Sequence, residues 1–372
     1  MQLYTFMQPS LRQGPLVWLQ MRADHAVRHN AAVGALVGLA VGDALSTLSE
    51  LPPAVCGGPS ELPPWGDVAA ISFETGEALL SRDLLNMGLG PTDIIAAAIA
   101  LADPDASPPL LGDPDAVLMC ALVQASMLGQ FACDPSLASS TEMADALRSV
   151  EEATDFCGAI RAAPTASLPL TGAVAGLRWG PAAIPAAWST HTTGAVGTRT
   201  YGLRQLRRLA ERLMRQDAPV PPEPRRSLGP REVAPGLFLS NLHAVPRFLA
   251  DHPDGAVISL CPTTGTFDNH LVRREFAMHD AAGSKVNPLL SATVDEVLAT
   301  IKAFHSEERN VLVHCHHGAS RTGLILRSWL VEELGLDVDD ATTEAQARWP
   351  KTSTWNNAFS AEVTRRSKRK LV

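Results

Sequence analysis

Residues 311–323 read Val-Leu-Val-His-Cys-His-His-Gly-Ala-Ser-Arg-Thr-Gly. Strand-forming residues run into Cys315, and five residues separate this cysteine from Arg321. Apolar residues then recur at helical spacing as far as Leu334, so the stretch predicts a strand, a tight loop and a helix start. The N–H groups of such a loop and helix attract an anion, and an arginine binds two oxygens at once. The stretch therefore predicts an anion-binding loop with a thiol at its base.

The residues around Cys315 suit it to act as a nucleophile. A free cysteine is mostly protonated at neutral pH, but helix N-termini and nearby cations bring reactive cysteines to pKa values of roughly 3.5–7.5. The loop amides, Arg321 and the flanking His314 are all expected to favour the thiolate. The Thr322 hydroxyl can donate to the sulfur when it leaves. The alternative is a buried cysteine beside an arginine by chance, and the complete string with its glycines argues against it.

These residues resemble the H-C-x5-R-[ST] signature of the Cys-dependent protein phosphatases, and most closely the dual-specificity branch. The resemblance implies that Cys315 forms a phosphocysteine and that Thr322 helps to expel it. It implies no cofactor and no metal. The phosphoryl oxygens would be held by Arg321 and by the backbone of His316, His317, Gly318, Ala319 and Ser320.

A leaving alkoxide or phenoxide needs a proton, so a general acid is required. The candidate is Asp280, which follows a strand-like segment, opens a glycine-containing loop and precedes Cys315 by 35 residues. That order matches the dual-specificity pattern. His279 is the alternative acid, and Asp295 is less favoured because it lies in a predicted helix. Asp280 as a plain turn residue also stays open.

The C-terminal half has the sequence pattern of an α/β domain. Residues 236–241 and 256–261 read as strands, and Thr293 to Glu296 reads as a capping box that opens an amphipathic helix. Strands that alternate with helices predict a mostly parallel sheet, with the cysteine at a strand's carboxyl end. The resemblance to the phosphatases runs from about residue 233 to residue 365 and implies the same fold.

The N-terminal half predicts an all-α bundle. Small residues alternate with Leu and Val from Ala31 to Glu50, which indicates a tightly packed buried helix, and further helical patterns follow near residues 69–85, 91–101, 115–128 and 144–162. The run from Gly34 to Leu45 resembles the first helix of the ADP-ribosylglycohydrolases, and residues 171–188 resemble their last conserved helices.

That second resemblance implies a pair of Mg ions, held by acidic strings that correspond here to residues 66–69 and 163–166. Only Asp67 remains as a carboxylate in these strings. One carboxylate cannot hold a pair of hard cations, so we expect a degenerate, inactive module for binding or regulation. ADP-ribose or an ADP-ribosylated protein is its possible partner. A surviving hydrolase that uses Asp43, Asp67 and Glu74 is the alternative.

The chain divides into two domains and three connecting segments. Five prolines between residues 217 and 230 preclude a helix and predict an extended spacer. The predicted parts are a flexible extension (1–30), the helical domain (31–215), a Pro-rich linker (216–232), the phosphatase-like domain (233–366) and a basic tail (367–372).

Composition narrows the partners. The formal net charge of −8 argues against a general nucleic-acid binder. Six scattered cysteines without a C-x-x-C pair suit a reducing cytoplasm, and no apolar run approaches the roughly 18 residues of a membrane span. The cysteine loop has no lysine, so a phosphoprotein (pTyr or pSer/pThr) is favoured over a phosphoinositide or an RNA 5′-phosphate. A phosphoprotein-binding adaptor without turnover is the non-enzymatic alternative.

Overall fold

A computed structural model describes most of the chain. The described residues are 15–55, 62–80, 92, 93, 95, 98, 99, 113–214, 227–263, 267, 270–283 and 285–370. The sequence-based predictions for residues 1–14, for the spacer at residues 215–226 and for much of the helical pattern at 91–101 lie outside this set. Among the described residues, one large hydrophobic core lies in the helical half and another lies mainly in the α/β half.

The N-terminal half is built around one long helix. Helix α1 spans Pro15–Ser46, so residues 15–30 are its first half and the expected flexible extension is wrong there. Helices α2 to α8 follow at Asp67–Leu80, Pro114–Met127, Thr141–Glu152, Phe156–Ala162, Leu168–Trp179, Ala186–Ser189 and Leu203–Leu213. Short 3-10 turns lie at Pro135–Leu137, Thr165–Ser167 and Pro181–Ala183.

Helices α1 and α6 are in backbone contact through glycines. A Cβ added to Gly38 would lie 2.0 Å from the Gly172 carbonyl oxygen, and one added to Gly34 would lie 2.1 Å from that of Gly176. No side chain fits at these distances, because real Cβ atoms do not approach backbone within 3.0 Å. The small residues that predicted a tightly packed helix are thus explained by the closeness of the two backbones.

The helical half also contains a β-hairpin, so the all-α prediction is wrong in this detail. Strands β1 (Thr193–Val196) and β2 (Arg199–Gly202) pair antiparallel. Gly197 begins the two-residue turn with φ of +57°, as such hairpins require. The Trp65 ring packs against Gly194, where an added Cβ would meet the indole at 2.2 Å. A few alternating Thr, Val and Tyr residues outweigh the helical composition of the surrounding sequence.

The C-terminal half contains a five-stranded sheet in the order β3-β4-β7-β5-β6. Its strands are β3 (Arg231–Ala234), β4 (Leu237–Asn241), β5 (Ala256–Ser259), β6 (Arg273–Glu275) and β7 (Val311–Cys315). Only the pairing of β3 with β4 is antiparallel, which confirms the mostly parallel sheet. The edge strand β3 begins inside the predicted linker and was not expected.

Among the described residues of this half, five helices accompany the sheet: α9 (Val245–Asp251), α10 (Leu290–Ser306), α11 (Ser320–Leu334), α12 (Val338–Arg348) and α13 (Asn357–Lys370). A 3-10 turn at Leu242–Ala244 precedes α9. Because α10 begins at Leu290, the predicted capping box at Thr293 is wrong. The tail prediction also fails up to Lys370, because residues 367–370 continue the last helix.

The two halves share buried polar contacts. The Ala186 N–H donates to Glu296 Oε1 at 2.7 Å, and Arg207 Nη2 donates to Glu275 Oε1 at 2.5 Å. Both residues of the second pair are nearly inaccessible to solvent, so it is an interior contact between the halves. Among the described residues, the structure contains no helix long and apolar enough to cross a membrane.

Candidate active site

Cys315 is the last residue of β7 and is buried at the carboxyl edge of the sheet. The cysteine loop, which we define as residues 315–321, runs directly into helix α11. Gly318 turns the loop with φ of +68°, and an added Cβ would meet the Ser240 carbonyl oxygen at 2.9 Å. The sequence-predicted strand, loop and helix start therefore all exist, with the sulfur at the base of the loop.

Two backbone carbonyl groups bind the Arg321 guanidinium. Its Nη1 donates to the carbonyl oxygens of Leu260 and Met278, each at 3.1 Å. Its Nε is buried, and among the described residues it has no hydrogen-bond partner. Burial alone would lower the pKa of Arg321, but the nearby Cys315, Cys261 and Asp280 groups outweigh it and raise this pKa. The guanidinium is therefore a fixed cation beside the nucleophile.

Thr322 lies where a leaving sulfur needs a donor. Its Oγ1 is 3.9 Å from Cys315 Sγ, within hydrogen-bond reach of sulfur. A second thiol, Cys261, follows strand β5, and burial raises its pKa to about 12 despite the opposing effect of Arg321. Cys261 is thus a protonated, buried thiol.

His314 does not supply the positive charge that the sequence suggested. Burial, reinforced by Arg321, lowers the pKa of His314 to about 3. The neutral ring shares a 2.7 Å hydrogen bond between its Nε2 and the Ser259 hydroxyl. The prediction that His314 favours the thiolate by its charge is therefore wrong. What the contact provides is a fixed link between strands β7 and β5 next to the nucleophile.

Asp280 lies beside the cysteine loop, as predicted. Its Oδ1 accepts a hydrogen bond from the Ser320 hydroxyl at 2.8 Å and a longer one from Asn356 Nδ2 at 3.5 Å. Asp280 follows strand β6, which strand β5 separates from the strand that ends in Cys315. The carboxyl group is nevertheless held next to the residue that precedes Arg321.

The structure does not favour either alternative acid, His279 because of its protonation state and Asp295 because of its position. Burial, His29 and Arg321 lower the pKa of His279 well below its usual value, so it has no proton to give at neutral pH. Asp295 is exposed on helix α10 and accepts a 2.7 Å hydrogen bond from Arg366. Of the three candidates, Asp280 is the one that the fold brings to the cysteine loop.

The two histidines of the loop are accessible to solvent to different degrees. His317 is exposed, His316 is partly buried, and their ring centroids lie 4.7 Å apart. Partial burial and Arg321 lower the pKa of His317, while Asp280 opposes them. Ala319 and Ser320 complete the loop, and the inward direction of its amides stays a prediction.

Several supporting residues could not be found from the motif. Trp349 Nε1 donates to the Gly318 carbonyl oxygen at 2.6 Å, and Ser259 and Asn356 hold His314 and Asp280 as described above. All three lie outside the cysteine loop in sequence.

The helical half does not assemble a metal site from its surviving carboxylates. Asp43 Oδ2 accepts the Ala69 N–H at 2.9 Å, and Glu74 Oε1 accepts the Gly197 N–H at 2.7 Å. Burial raises the pKa of Asp43 against the effect of the Ala69 and Gly66 N–H groups. In the part of the chain that the structure describes, no three acidic, His or Cys side chains form a metal-binding group. The metal-hydrolase alternative therefore has no support.

Comparison with known proteins bears on the α/β half. Residues 243–364 match the profile of a family described as "Dual specificity phosphatase, catalytic domain". The matched segment contains Cys315, Arg321, Thr322 and Asp280. The match and the arrangement around Cys315 thus fall in the same part of the chain, and both resemble the catalytic domain of a dual-specificity phosphatase.

A curated relative and two solved structures also resemble part of the chain. An mRNA-capping enzyme of Caenorhabditis elegans is 33% identical over 106 residues, or 26% of this chain, and the chain spans only 17% of that enzyme's length. Human DUSP28 is 19% identical with a TM-score of 0.33, over 42% of this chain and 100% of its own. A human tyrosine phosphatase-like serine/threonine/tyrosine-interacting protein is 20% identical with a TM-score of 0.32, over 38% of this chain and 97% of its own.

Proposed function

We propose that this protein is a dual-specificity-type phosphatase that hydrolyses phosphate monoesters on proteins through a phosphocysteine. One observation carries the proposal. A buried thiol at the end of β7 lies beside an arginine whose Nη1 is fixed by two carbonyl oxygens and whose Nε is left for another acceptor. Such a pair of groups suits a phosphoryl transfer, because thiolate and guanidinium meet phosphorus and its oxygens respectively.

In the first step, the Cys315 thiolate attacks phosphorus. A sulfur–phosphorus bond forms as the bond from phosphorus to the substrate oxygen breaks. Asp280 gives its proton to the leaving oxygen, while Arg321 and the loop amides hold the other phosphoryl oxygens.

In the second step, water attacks the phosphocysteine. The Asp280 carboxylate accepts the proton that the water loses, and the sulfur–phosphorus bond breaks to release inorganic phosphate. The Thr322 hydroxyl, 3.9 Å from the sulfur, donates to the thiolate as it leaves. No metal or cofactor is needed to balance these steps.

The test is hydrolysis of p-nitrophenyl phosphate by the full chain in the presence of EDTA. We expect phosphate release that Cys315→Ser abolishes, and acid-stable trapping of phosphate on the native protein but not on this variant. Native protein that binds a phosphopeptide without releasing phosphate would instead favour the adaptor alternative.

A second substrate class, RNA 5′-phosphates, is favoured by the similarity to the mRNA-capping enzyme. The net charge of −8 opposes it, because a nucleic-acid substrate prefers a basic surface. Comparison of kcat/KM for a phosphotyrosine peptide, a phosphothreonine peptide and a 5′-phosphorylated RNA separates the classes. We expect the peptides to be preferred.

We further propose that residues 31–215 are a degenerate ADP-ribosylglycohydrolase-like module that binds or regulates without catalysis. The engagement of Asp43 and Glu74 by backbone N–H groups supports this proposal, since both carboxylates already have structural partners. Magnesium-dependent release of ADP-ribose from a modified protein would contradict it, and calorimetry with ADP-ribose tests retained binding.

A reducing compartment such as the cytoplasm is proposed as the setting. The five cysteines that the structure describes are free thiols, and a thiol nucleophile has to stay reduced to act. Fractionation of the native host cell, with activity assayed before and after a reductant is added, tests this setting.

A further inference from the structure

The loop that carries the candidate acid lies between the two halves of the protein. We define the acid loop as residues 276–288, of which the structure describes all but residue 284. On one side it meets the active site, through Ser320 and Asp280 at 2.8 Å and through Arg321 and the Met278 carbonyl at 3.1 Å. On the other side it meets helix α1 of the helical half.

Helix α1 holds the acid loop by a hydrogen bond and a ring contact. Asn30 is buried, and its Nδ2 donates to the Val286 carbonyl oxygen at 2.5 Å. The His29 ring packs edge-on against His279, with centroids 5.2 Å apart and an interplanar angle of 82°. His279 directly precedes Asp280 in sequence, so this ring contact acts one residue from the carboxyl group.

Apolar packing also contributes to the contact between helix α1 and the acid loop. Ala26 of helix α1 forms a small buried cluster with Ala281 and Val286, the residues on either side of the loop's glycine. Within the acid loop, the Asn287 side chain binds the backbone of His279 on the opposite side of the loop. Its Oδ1 accepts the His279 N–H and its Nδ2 donates to the His279 carbonyl oxygen, both at 3.0 Å. The loop is therefore closed on itself and then fastened to α1 as one unit.

A mobile acid loop would place its carboxyl group in the site only part of the time. Fixing it to a neighbouring element raises the fraction of molecules in which the proton donor is in position. Resting on the proposed phosphatase activity, we infer that helix α1 is a positioning element of the catalytic domain, in which Asn30 and His29 hold the acid loop so that Asp280 can protonate the leaving group.

The leaving group makes this inference testable in the full-length protein. Phenyl phosphate releases a phenol with a pKa of about 10, as tyrosine does, whereas p-nitrophenol is far more acidic and needs its proton less. Because general acids contribute about 10²–10⁴-fold, we expect Asn30→Ala to lower kcat for phenyl phosphate about tenfold more than for p-nitrophenyl phosphate. His29→Ala should act in the same sense, and His29→Phe, which keeps a ring against His279, should restore most of the loss.

Two comparisons separate positioning from mere loss of stability. In an Asp280→Asn background, Asn30→Ala should cause no further difference between the two substrates, because the proton donor is already absent. Asn310→Ala is the matched control, since it removes an amide that contacts His252 at 3.0 Å before the start of β7, at the opposite end of that strand from Cys315. It should not change the ratio of the two rates.

The possible failures are distinguishable. Equal losses on both substrates, or a leaving-group effect that persists with Asp280→Asn, would overturn the positioning role while leaving the phosphatase intact. An Asp280→Asn variant with native rates on phenyl phosphate would overturn it as well. If the native protein hydrolyses neither substrate, the proposed function fails and the inference fails with it.

Discussion

The Ser320 hydroxyl donates a 2.8 Å hydrogen bond to Asp280, and this contact joins the first residue of helix α11 to the acid loop. Ser320 directly precedes Arg321, so the residue that binds the proposed proton donor is adjacent in sequence to the residue that carries the guanidinium. Arg321 in turn donates to the carbonyl oxygen of Met278, two residues before Asp280. Two hydrogen bonds, both donated by the cysteine loop, therefore join it to the acid loop.

Replacement of Asp280 by asparagine tests the acid in that arrangement. An amide cannot give a proton to the leaving oxygen, so the loss should be largest for the most basic leaving groups. Asp280→Asn should slow the reaction of phenyl phosphate by about 10²-fold or more. Values of kcat/KM for a series of aryl phosphates check this, because they should fall more steeply with leaving-group basicity in the variant than in the native protein. An unchanged dependence on the leaving group would assign the proton to another residue.

Arg321→Lys tests the geometry of the phosphate site rather than its charge. Lysine keeps a positive charge but has no planar fork, so it cannot bind the Leu260 and Met278 carbonyls and still grip two phosphoryl oxygens. We expect kcat/KM for p-nitrophenyl phosphate to fall by about 10²-fold or more. Inhibition by tungstate should weaken in parallel. Cys261→Ala, which removes a buried thiol near the same guanidinium, is the control and should retain most of the activity.

The sequence predicted the centre of the site because that chemistry is local. Cys315, Arg321 and Thr322 lie within one loop and helix start, where spacing alone fixes their neighbourhood. The environment of His314 was not predictable from its position in the motif. Its charge depends on burial and on Ser259, which lies 55 residues earlier on another strand. A titratable residue can be located by its motif, but its protonation state is set by contacts that only the fold creates.

The fold of each half was predictable to a similar depth. The parallel sheet follows from alternating strands and helices, whereas strand β3 is short and begins in the last two residues of the predicted linker. The start of α1 was hidden because its first half, from Pro15, lacks the regular small-residue pattern that marks residues 31–50. The contact of Asn30 with Val286 spans 256 residues, and no local pattern carries it.

The glycine contact between α1 and α6 makes a prediction about stability. Gly38→Ala would place a methyl group 2.0 Å from the Gly172 carbonyl oxygen, so the two helices would have to separate. We expect a loss of about 2 kcal/mol or more in the free energy of unfolding and a melting temperature lower by several degrees. Gly158→Ala in helix α5 is the control, because its Cβ would make only ordinary contacts at 3.5 Å. Equal melting temperatures for Gly38→Ala and the native protein would refute the close packing.

Glu296 predicts how the contact between the halves responds to pH. Burial raises the pKa of Glu296 to about 8, although the Ala186 N–H partly opposes this. The folded protein therefore retains a proton there after the unfolded chain has lost it. Between the ordinary glutamate value of 4.5 and about 8, the contribution of Glu296 to stability should fall as the pH rises, and it should level off above that range.

The variant Glu296→Gln isolates this effect. Glutamine keeps an oxygen that can accept from the Ala186 N–H, at 2.7 Å in the native contact, but it cannot ionise. Its thermal stability should therefore decline less between pH 5 and pH 8 than that of the native protein, and at pH 9 it should be the more stable of the two. Glu296→Ala, which removes the acceptor as well, should be less stable than Glu296→Gln at every pH. Melting curves recorded across this range check both expectations, and parallel pH profiles for the native protein and Glu296→Gln would show that the carboxyl group is already ionised in the folded state.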